Sequence, residues 1–248
     1  MKRIWPLATV GIVAFVAFCL VTFPARLVLS RLDAYGVQAG GVSGTIWRGT
    51  AQILQVRGAN LGRINWSLHA LPLFLGRLSV DVKATRSDGS VQTQVTASPT
   101  RLRFSDLNAA LPLSAFPPDS VPGGWIGMLV LRLEKLELTD GWPTAVSGTV
   151  EVANVVGPAR SPLPMGSYKV TFPGDAPSAV DGVVGALTDI GGPLQVSGTV
   201  HLKSNRLFHA EGLVAARPDA PDEIAKSIQY IGSPDAQGRR PFSFENQM

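Results

Sequence analysis

The sequence predicts a mainly β protein: a curved, largely antiparallel sheet or sheets behind one N-terminal transmembrane helix, with a few short helices. Three observations carry this. Ile4 to Phe23 is an uncharged apolar run, about the 20 residues a helix needs to cross a bilayer. Beyond it, apolar and polar residues alternate with period two over many short segments, as in strands with one buried and one wet face. Charged residues make up only 16% of the 248, while Gly (26) and Pro (19) are abundant, a profile of short strands joined by turns.

The N-terminus sets the expected compartment. Lys2 and Arg3 precede the apolar run, Trp5 stands at its start and Phe23-Pro24 at its end. A cleaved signal would have a shorter apolar core and a small-x-small cleavage site. Ala17-Phe18-Cys19 supplies none, so an uncleaved anchor over 4–23 is expected, with residues 1–3 as a cytoplasmic tail. Arg26 and Arg31 on the far side reduce the charge contrast, but a long domain is translocated largely regardless of charge. The bulk of the chain is therefore expected outside the cytoplasm. Its one cysteine, Cys19, lies in the anchor, so no intramolecular disulfide can form.

Residues 24–104 are expected to form a first β portion. Leu27, Val28, Leu32 and Tyr35 are spaced for a short helix ended by Gly36. Ile64, Trp66 and Leu68 then alternate with polar residues, as do Leu78, Val80, Val82 and Ala84, and Val91, Thr93, Val95 and Ala97. Ser87-Asp88-Gly89 predicts a hairpin turn. Such alternation favours antiparallel pairing, and no helical crossover of the length that parallel strands need is present.

Residues 105–124 are expected to be a Pro-rich loop, opening with a single helical turn capped by Ser105 and broken by Pro112, Pro117, Pro118 and Pro122. A second β portion follows over 125–232. Leu129, Leu131 and Leu133 switch parity to Leu136 and Leu138, which predicts a bulge near Glu134-Lys135. Asp140-Gly141 predicts a turn. Further strands are marked by Val146 to Val152, Tyr168 to Phe172, Leu194 to Leu202 and, after a turn at Ser204-Asn205, Phe208 to Val214. Ile224, Ile228 and Ile231 suit a short helix after Pro221-Asp222. Residues 233–248 are expected to be a loosely held tail.

Val-Ser-Gly-Thr occurs three times, at Val42–Thr45, Val146–Thr149 and Val196–Thr199. Each copy places Val and Gly on the apolar face and Ser and Thr on the polar face. Unequal spacing and unlike flanks argue against a tandem repeat. Glycine within a strand marks a bend or a close contact, so Gly44, Gly148 and Gly198 are expected either to relieve packing or to let the sheet curl or something bulky lie across it.

Catalytic signals are lacking. There is no Gly-x-Ser-x-Gly elbow, and Gly40 to Gly44 lacks the Gly-Lys-Ser/Thr that would make it a phosphate cradle. His201, His209 and Glu211 could meet across a hairpin, but their spacing matches no zinc signature and favours an ordinary solvated pair. No metal, cofactor or catalytic residue is expected, and the protein is read as a non-enzyme. The net charge of +4 is spread over scattered residues such as Arg57, Arg63, Arg77, Lys83 and Arg86, which argues against a nucleic-acid partner. Trp47, Trp66, Trp125 and Trp142 suit either core packing or a binding groove.

Gly41-Val42-Ser43-Gly44-Thr45-Ile46-Trp47-Arg48-Gly49, then Ile64-Asn65-Trp66-Ser67-Leu68 and Leu71-Pro72-Leu73, all follow a single anchor. Together they resemble the protein N family of the bacterial type II secretion system (general secretion pathway protein N), closely over residues 1–75 and loosely over the whole chain. The resemblance implies an inner-membrane protein whose periplasmic domain assists export of folded proteins, with other secretion components as partners. It carries over no catalytic residue. A weaker likeness to AsmA-like periplasmic β-domains implies, as an alternative, lipid binding in a curved apolar groove. Trp47, Arg48, Gly49, Trp66, Gly148 and Gly198 are the expected partner or groove residues.

Overall fold

The computed structural model describes residues 4–70, 72–73, 76–117, 121, 124–158, 162–174 and 182–247. Lys2, Arg3, Pro118 and Pro122 lie outside them. Two helices come first: α1 (Ile4–Val21) and α2 (Ala25–Leu29), followed by a 3-10 turn at Asp33–Tyr35 that Gly36 ends in the left-handed region at φ 78°. The strands are β1 (Val37–Gly40), β2 (Ser43–Gly44), β3 (Arg48–Val56), β4 (Ala59–His69), β5 (Leu78–Thr85), β6 (Ser90–Ala97), β7 (Arg101–Pro112), β8 (Ile126–Thr139), β9 (Trp142–Val156), β10 (Pro164–Phe172), β11 (Val183–Gly191), β12 (Leu194–Leu202), β13 (Leu207–Ala216) and β14 (Arg240–Gln247). Helix α3 (Asp222–Ile228) lies between the last two.

Among the described residues all strands join one antiparallel sheet, β1 and then β3 through β14 in chain order, with β2 paired to β3. A meander of this kind needs only tight turns. Asp140 and Gly141 supply one, both at positive φ (51° and 79°). The Ser87-Asp88-Gly89 turn forms too, but Arg86 holds it: its guanidinium donates to both carboxylate oxygens of Asp88 (2.7 and 2.9 Å) and its amide to the Gly89 carbonyl (2.8 Å).

The ladders are bulged. Register shifts interrupt β3/β4, β6/β7, β8/β9, β9/β10 and β10/β11. The expected bulge is among them: Leu133 pairs with Gly148 and Lys135 with Ser147, leaving Glu134 as the extra residue. Bulges bend strands and increase their twist. β9 and β11 come within 8 Å Cα to Cα, as do β10 and β12, although one strand separates each pair. Two strand spacings in a flat sheet would hold them about 9.5 Å apart, so the sheet is bent there.

Three expectations need correction. The loop expected over 105–124 gives way to β7 as far as Pro112, and Ser105 caps no helix. Asp106 at φ 50° is the cause, a bulge that switches the apolar parity from Leu102 and Phe104 to Leu107, Ala109 and Leu111. β7 and β8 pair from Arg101–Thr139 to Pro112–Met128, so the two β portions are one sheet. The tail expected over 233–248 holds β14, paired with β13 from Leu207–Gln247 to Val214–Arg240.

The molecule exposes 15792 Å² of surface. A compact monomer of its mass would expose about 10,600 Å². Part of the excess is α1, whose Val10, Ile12, Phe15, Phe18 and Leu20 are between 54% and 68% exposed. At 18 residues α1 rises about 27 Å. Among the described residues no helix is long and apolar enough to cross a membrane. The rest of the excess comes from the sheet, which among the described residues has no second sheet to cover it.

Candidate functional site

In an antiparallel pair, residues directly opposite share a face. Following these pairs from strand to strand gives one continuous line across β3 to β14: Ala51, Ile64, Ala84, Val91, Ala109, Leu131, Val150, Val170, Leu187, Gly198, Gly212 and Phe242. Every member is apolar. One residue further along each strand, on the other face, the line reads Thr50, Asn65, Lys83, Gln92, Asn108, Arg132, Thr149, Thr171, Ala186, Thr199, Glu211 and Ser243. A shorter apolar line runs parallel to the first through Leu68, Val80, Val95, Phe104, Leu136 and Val146. The bulge at Asp106 and that at Glu134 keep this face apolar where the strands change parity.

The apolar face is the candidate site. Two patches of it are packed. Ala51, Leu54 and Ile64 form one core, with Val37, Val42 and Trp66 against them. Val196, Val214 and Ile228 form the other, where α3 lies on the sheet beside Tyr168 and Phe242. Leu187 packs against the second patch, and between the patches Ala84 and Ala109 are buried while Val91, Leu131, Val150 and Val170 are half-buried. The face offers apolar area and no reactive group, which suits it to hold an apolar chain or a partner's apolar surface.

Trp47, Arg48, Gly49 and Trp66 make a joint between helix and sheet. The Trp47 indole N–H donates to the Leu20 carbonyl in the last turn of α1 (2.7 Å), and the Trp47 carbonyl accepts from the Leu68 amide (2.7 Å). Ile46 donates to the Phe23 carbonyl at 3.0 Å. Trp66 is opposite Gly49, and its indole donates to the Thr45 carbonyl (3.2 Å). A Cβ on Gly49 would strike that indole. Arg48 is exposed at the start of β3. Replacing Gly49 with Val should therefore cost about 2–3 kcal/mol of stability by overpacking. A chemical denaturation series followed by tryptophan emission would read the loss and the displaced indole together.

Gly148 and Gly198 lie on the apolar face. Gly148 sits at the Glu134 bulge with φ 121°. Gly198 is opposite Gly212, and the backbones come so close that a Cβ on either would meet the other strand's main chain. A depression of ≈ 530 Å³ flanks this pair and Phe242.

His201, His209, Glu211 and Glu245 meet on the polar face. His209 stands between Glu211 (3.3 Å) and Glu245 (3.5 Å), and His201 is 4.0 Å from Glu211. Among the described residues no group of three or more His, Cys, Asp or Glu is disposed to hold a metal. Trp142 is buried and its indole N–H has no partner among the described residues, while Trp125 is half-buried.

Two charged groups brace the ends of the sheet. Asp189, at the end of β11, pairs with Arg217 and accepts the Val196 amide at 2.9 Å. Burial, and then the negative charge of Asp189, hold the neighbouring Tyr168 phenol above its ordinary range. At the opposite end, burial pushes the Glu137 carboxyl up, but Arg103 (2.8 Å) and Lys135 (3.3 Å) outweigh it and hold the group below the usual carboxylate range. Glu137 therefore stabilises the fold above its unfolded value, and that contribution is lost as pH falls through the depressed one.

A match to the family described as Type II secretion system (T2SS), protein N, spans residues 35–243. The chain belongs to that family. The match runs from the residue before Gly36 into β14, so the family is carried by the sheet rather than by α1. The chain is 26% identical to the type II secretion system protein N of Aeromonas hydrophila over the full length of both, and 25% identical to that of Vibrio cholerae over 92% of each. A third protein N, from Aeromonas salmonicida, is 30% identical over all of its own length, which matches 19% of this chain. No solved structure matches.

The sequence did not indicate the cross-sheet line. Alternation marks each strand's apolar face, but β3 and β11 carry weaker alternation, and the bulges break the parity at Asp106 and Glu134.

Proposed function

We propose that this protein is a non-enzymatic, inner-membrane component of the type II secretion system, assisting export of folded proteins across the outer membrane. The family match over the whole sheet carries this. α1 is its single anchor, with the N-terminus in the cytoplasm and the sheet in the periplasm. Val10, Ile12, Phe15, Phe18 and Leu20 are exposed, and at 100° per residue they point all round the helix axis. A helix apolar on every side needs an apolar solvent. With Thr22 and Phe23, the apolar run reaches about the 30 Å of a hydrocarbon core. The apolar face of the sheet then packs on another component of the machine.

A clean deletion of the gene should leave secreted enzymes inside the cell envelope, and the full chain supplied in trans should restore their release. Normal release by the deletion strain would overturn the proposal.

A second function, lipid binding, is favoured by one observation: the unbroken apolar line over β3 to β14, of which Val91, Leu131, Val150 and Val170 stay half-buried. Native mass spectrometry of the detergent-extracted full chain should then show co-purifying lipid. Lipid-free protein only would count against it.

A further inference from the structure

The end of the sheet that receives α1 also carries a distinct set of side chains. β3 begins there, beside the end of β4, where Arg48 pairs with Ser67. Two hydrogen bonds, Leu68 N–H to the Trp47 carbonyl and Trp47 indole to the Leu20 carbonyl, connect the end of β4 to the last turn of α1. β5 and β7 start at this same end and β6 finishes there, with Leu78, Ala97, Leu102 and Leu138 paired in a line. Leu78 is 40% exposed and Leu102 39%. The turn before β5 adds Leu73, also 39% exposed, held by Leu73 N–H to the Ala70 carbonyl (3.2 Å) and Arg77 N–H to the Pro72 carbonyl (3.0 Å).

On the other face of this same end, where Thr96, Arg103 and Glu137 stand opposite one another, is a cleft of ≈ 220 Å³ lined by Arg77, Thr96, Ser98, Arg101, Arg103 and Glu137. Only Arg103 is paired, with Glu137; among the described residues Arg77 and Arg101 make no ion pair. Three guanidinium groups against one carboxylate leave the cleft cationic. Guanidinium groups bind phosphate oxygens in pairs, and long basic side chains beside apolar ones are the composition of an interfacial membrane contact.

We propose that this end of the sheet is a second membrane contact. Leu73, Leu78 and Leu102 enter the interface of the bilayer that α1 crosses, and the cleft between Arg77, Arg101 and Arg103 takes the phosphate of an anionic phospholipid. The inference rests on the anchored orientation proposed above, since the same last turn of α1 that leaves the bilayer is bonded to this end. It goes further by fixing the sheet upright on the membrane, held at two points instead of swinging from one.

The test uses the full chain in a Cys19→Ser background, reconstituted into vesicles of phosphatidylcholine with or without phosphatidylglycerol. One variant carries a polarity-sensitive fluorophore on a cysteine at Leu73, the other at Phe15. The Leu73 probe should shift to the blue when phosphatidylglycerol is present, and the double reversal Arg77→Glu with Arg101→Glu should abolish that shift. The Phe15 probe should report an apolar setting in both vesicles and in the reversal variant. A water-like Leu73 probe beside a buried Phe15 probe would overturn the contact and leave the anchor standing. So would a blue shift indifferent to phosphatidylglycerol or to the reversal. A water-like Phe15 probe would instead overturn the anchor, and the contact with it. Circular dichroism of the reversal variant, with Arg77→Gln and Arg101→Gln as a milder pair, separates lost binding from lost folding.

Discussion

Replacing Gly148 with Val should destabilise the protein by about 3–5 kcal/mol, the sum of a backbone strain and a steric term. Gly148 is held at φ 121°, a region side chains with a Cβ rarely occupy. A Cβ there would also run into the Arg132 carbonyl and the Leu133 Cα, which are main-chain atoms and cannot rotate aside. The position cannot relax, because the bulge at Glu134 fixes the register of β8 against β9. Relaxing it would turn Leu131 and Leu129 out of the apolar face. Denaturant midpoints of the detergent-solubilised full chain would give the value, with Val150→Ala as a reference for ordinary loss of packing at about 1–2 kcal/mol. A Gly148→Val midpoint no lower than that of the reference would show that the bulge is not rigid.

Asp189→Ala is expected to cost about 2–4 kcal/mol, towards the lower end for breaking a buried ion pair because Arg217 is partly solvated. The β11/β12 ladder ends at Thr188–Ser197, and the Asp189 carboxylate takes over as acceptor for the next free amide, that of Val196. Its loss leaves that N–H unpaired and Arg217 without its carboxylate, in a position where the Arg217 Nε already lacks a partner among the described residues. Tyr168 provides an independent readout. Asp189 contributes to holding its phenol above the ordinary range, so in the variant the phenol should ionise at lower pH than in the parent. Because a raised phenol keeps its proton in the folded state, the parent should lose stability as pH rises past the unfolded phenol value. The variant should lose less. An unchanged phenol titration would mean that burial alone sets Tyr168.

Much of this was legible in the chain. Ile64-Asn65-Trp66-Ser67-Leu68 and Leu194 to Leu202 alternate cleanly because each presents one face to water and one to apolar neighbours. The parity switch between Leu133 and Leu136 located the Glu134 bulge, since a slip of one residue would otherwise expose a whole strand. The same logic failed for β7. Asp106 switches parity in its middle, and the nearby prolines made the second half look irregular. β14 escaped notice because only Phe242 and Phe244 mark its apolar side, and its pairing with β13 lies beyond any local signal.

The Trp47-Arg48-Gly49 and Trp66 elements show the same division. Their sequence pointed to a family, and their geometry gives them a mechanical role. Trp47 ties the sheet to α1, and Gly49 makes room for Trp66. By itself the sequence determined the composition of each strand's faces, the position of the apolar N-terminal run and the sites of the main turns. These depend on neighbours along the chain, which the sequence states directly. Only the tertiary structure decided that the apolar faces of β3 to β14 line up as one surface, and that Leu73, Leu78, Leu102 and the arginines gather at the end joined to α1. Both follow from inter-strand register, which is fixed by hydrogen bonds and bulges between residues far apart in sequence.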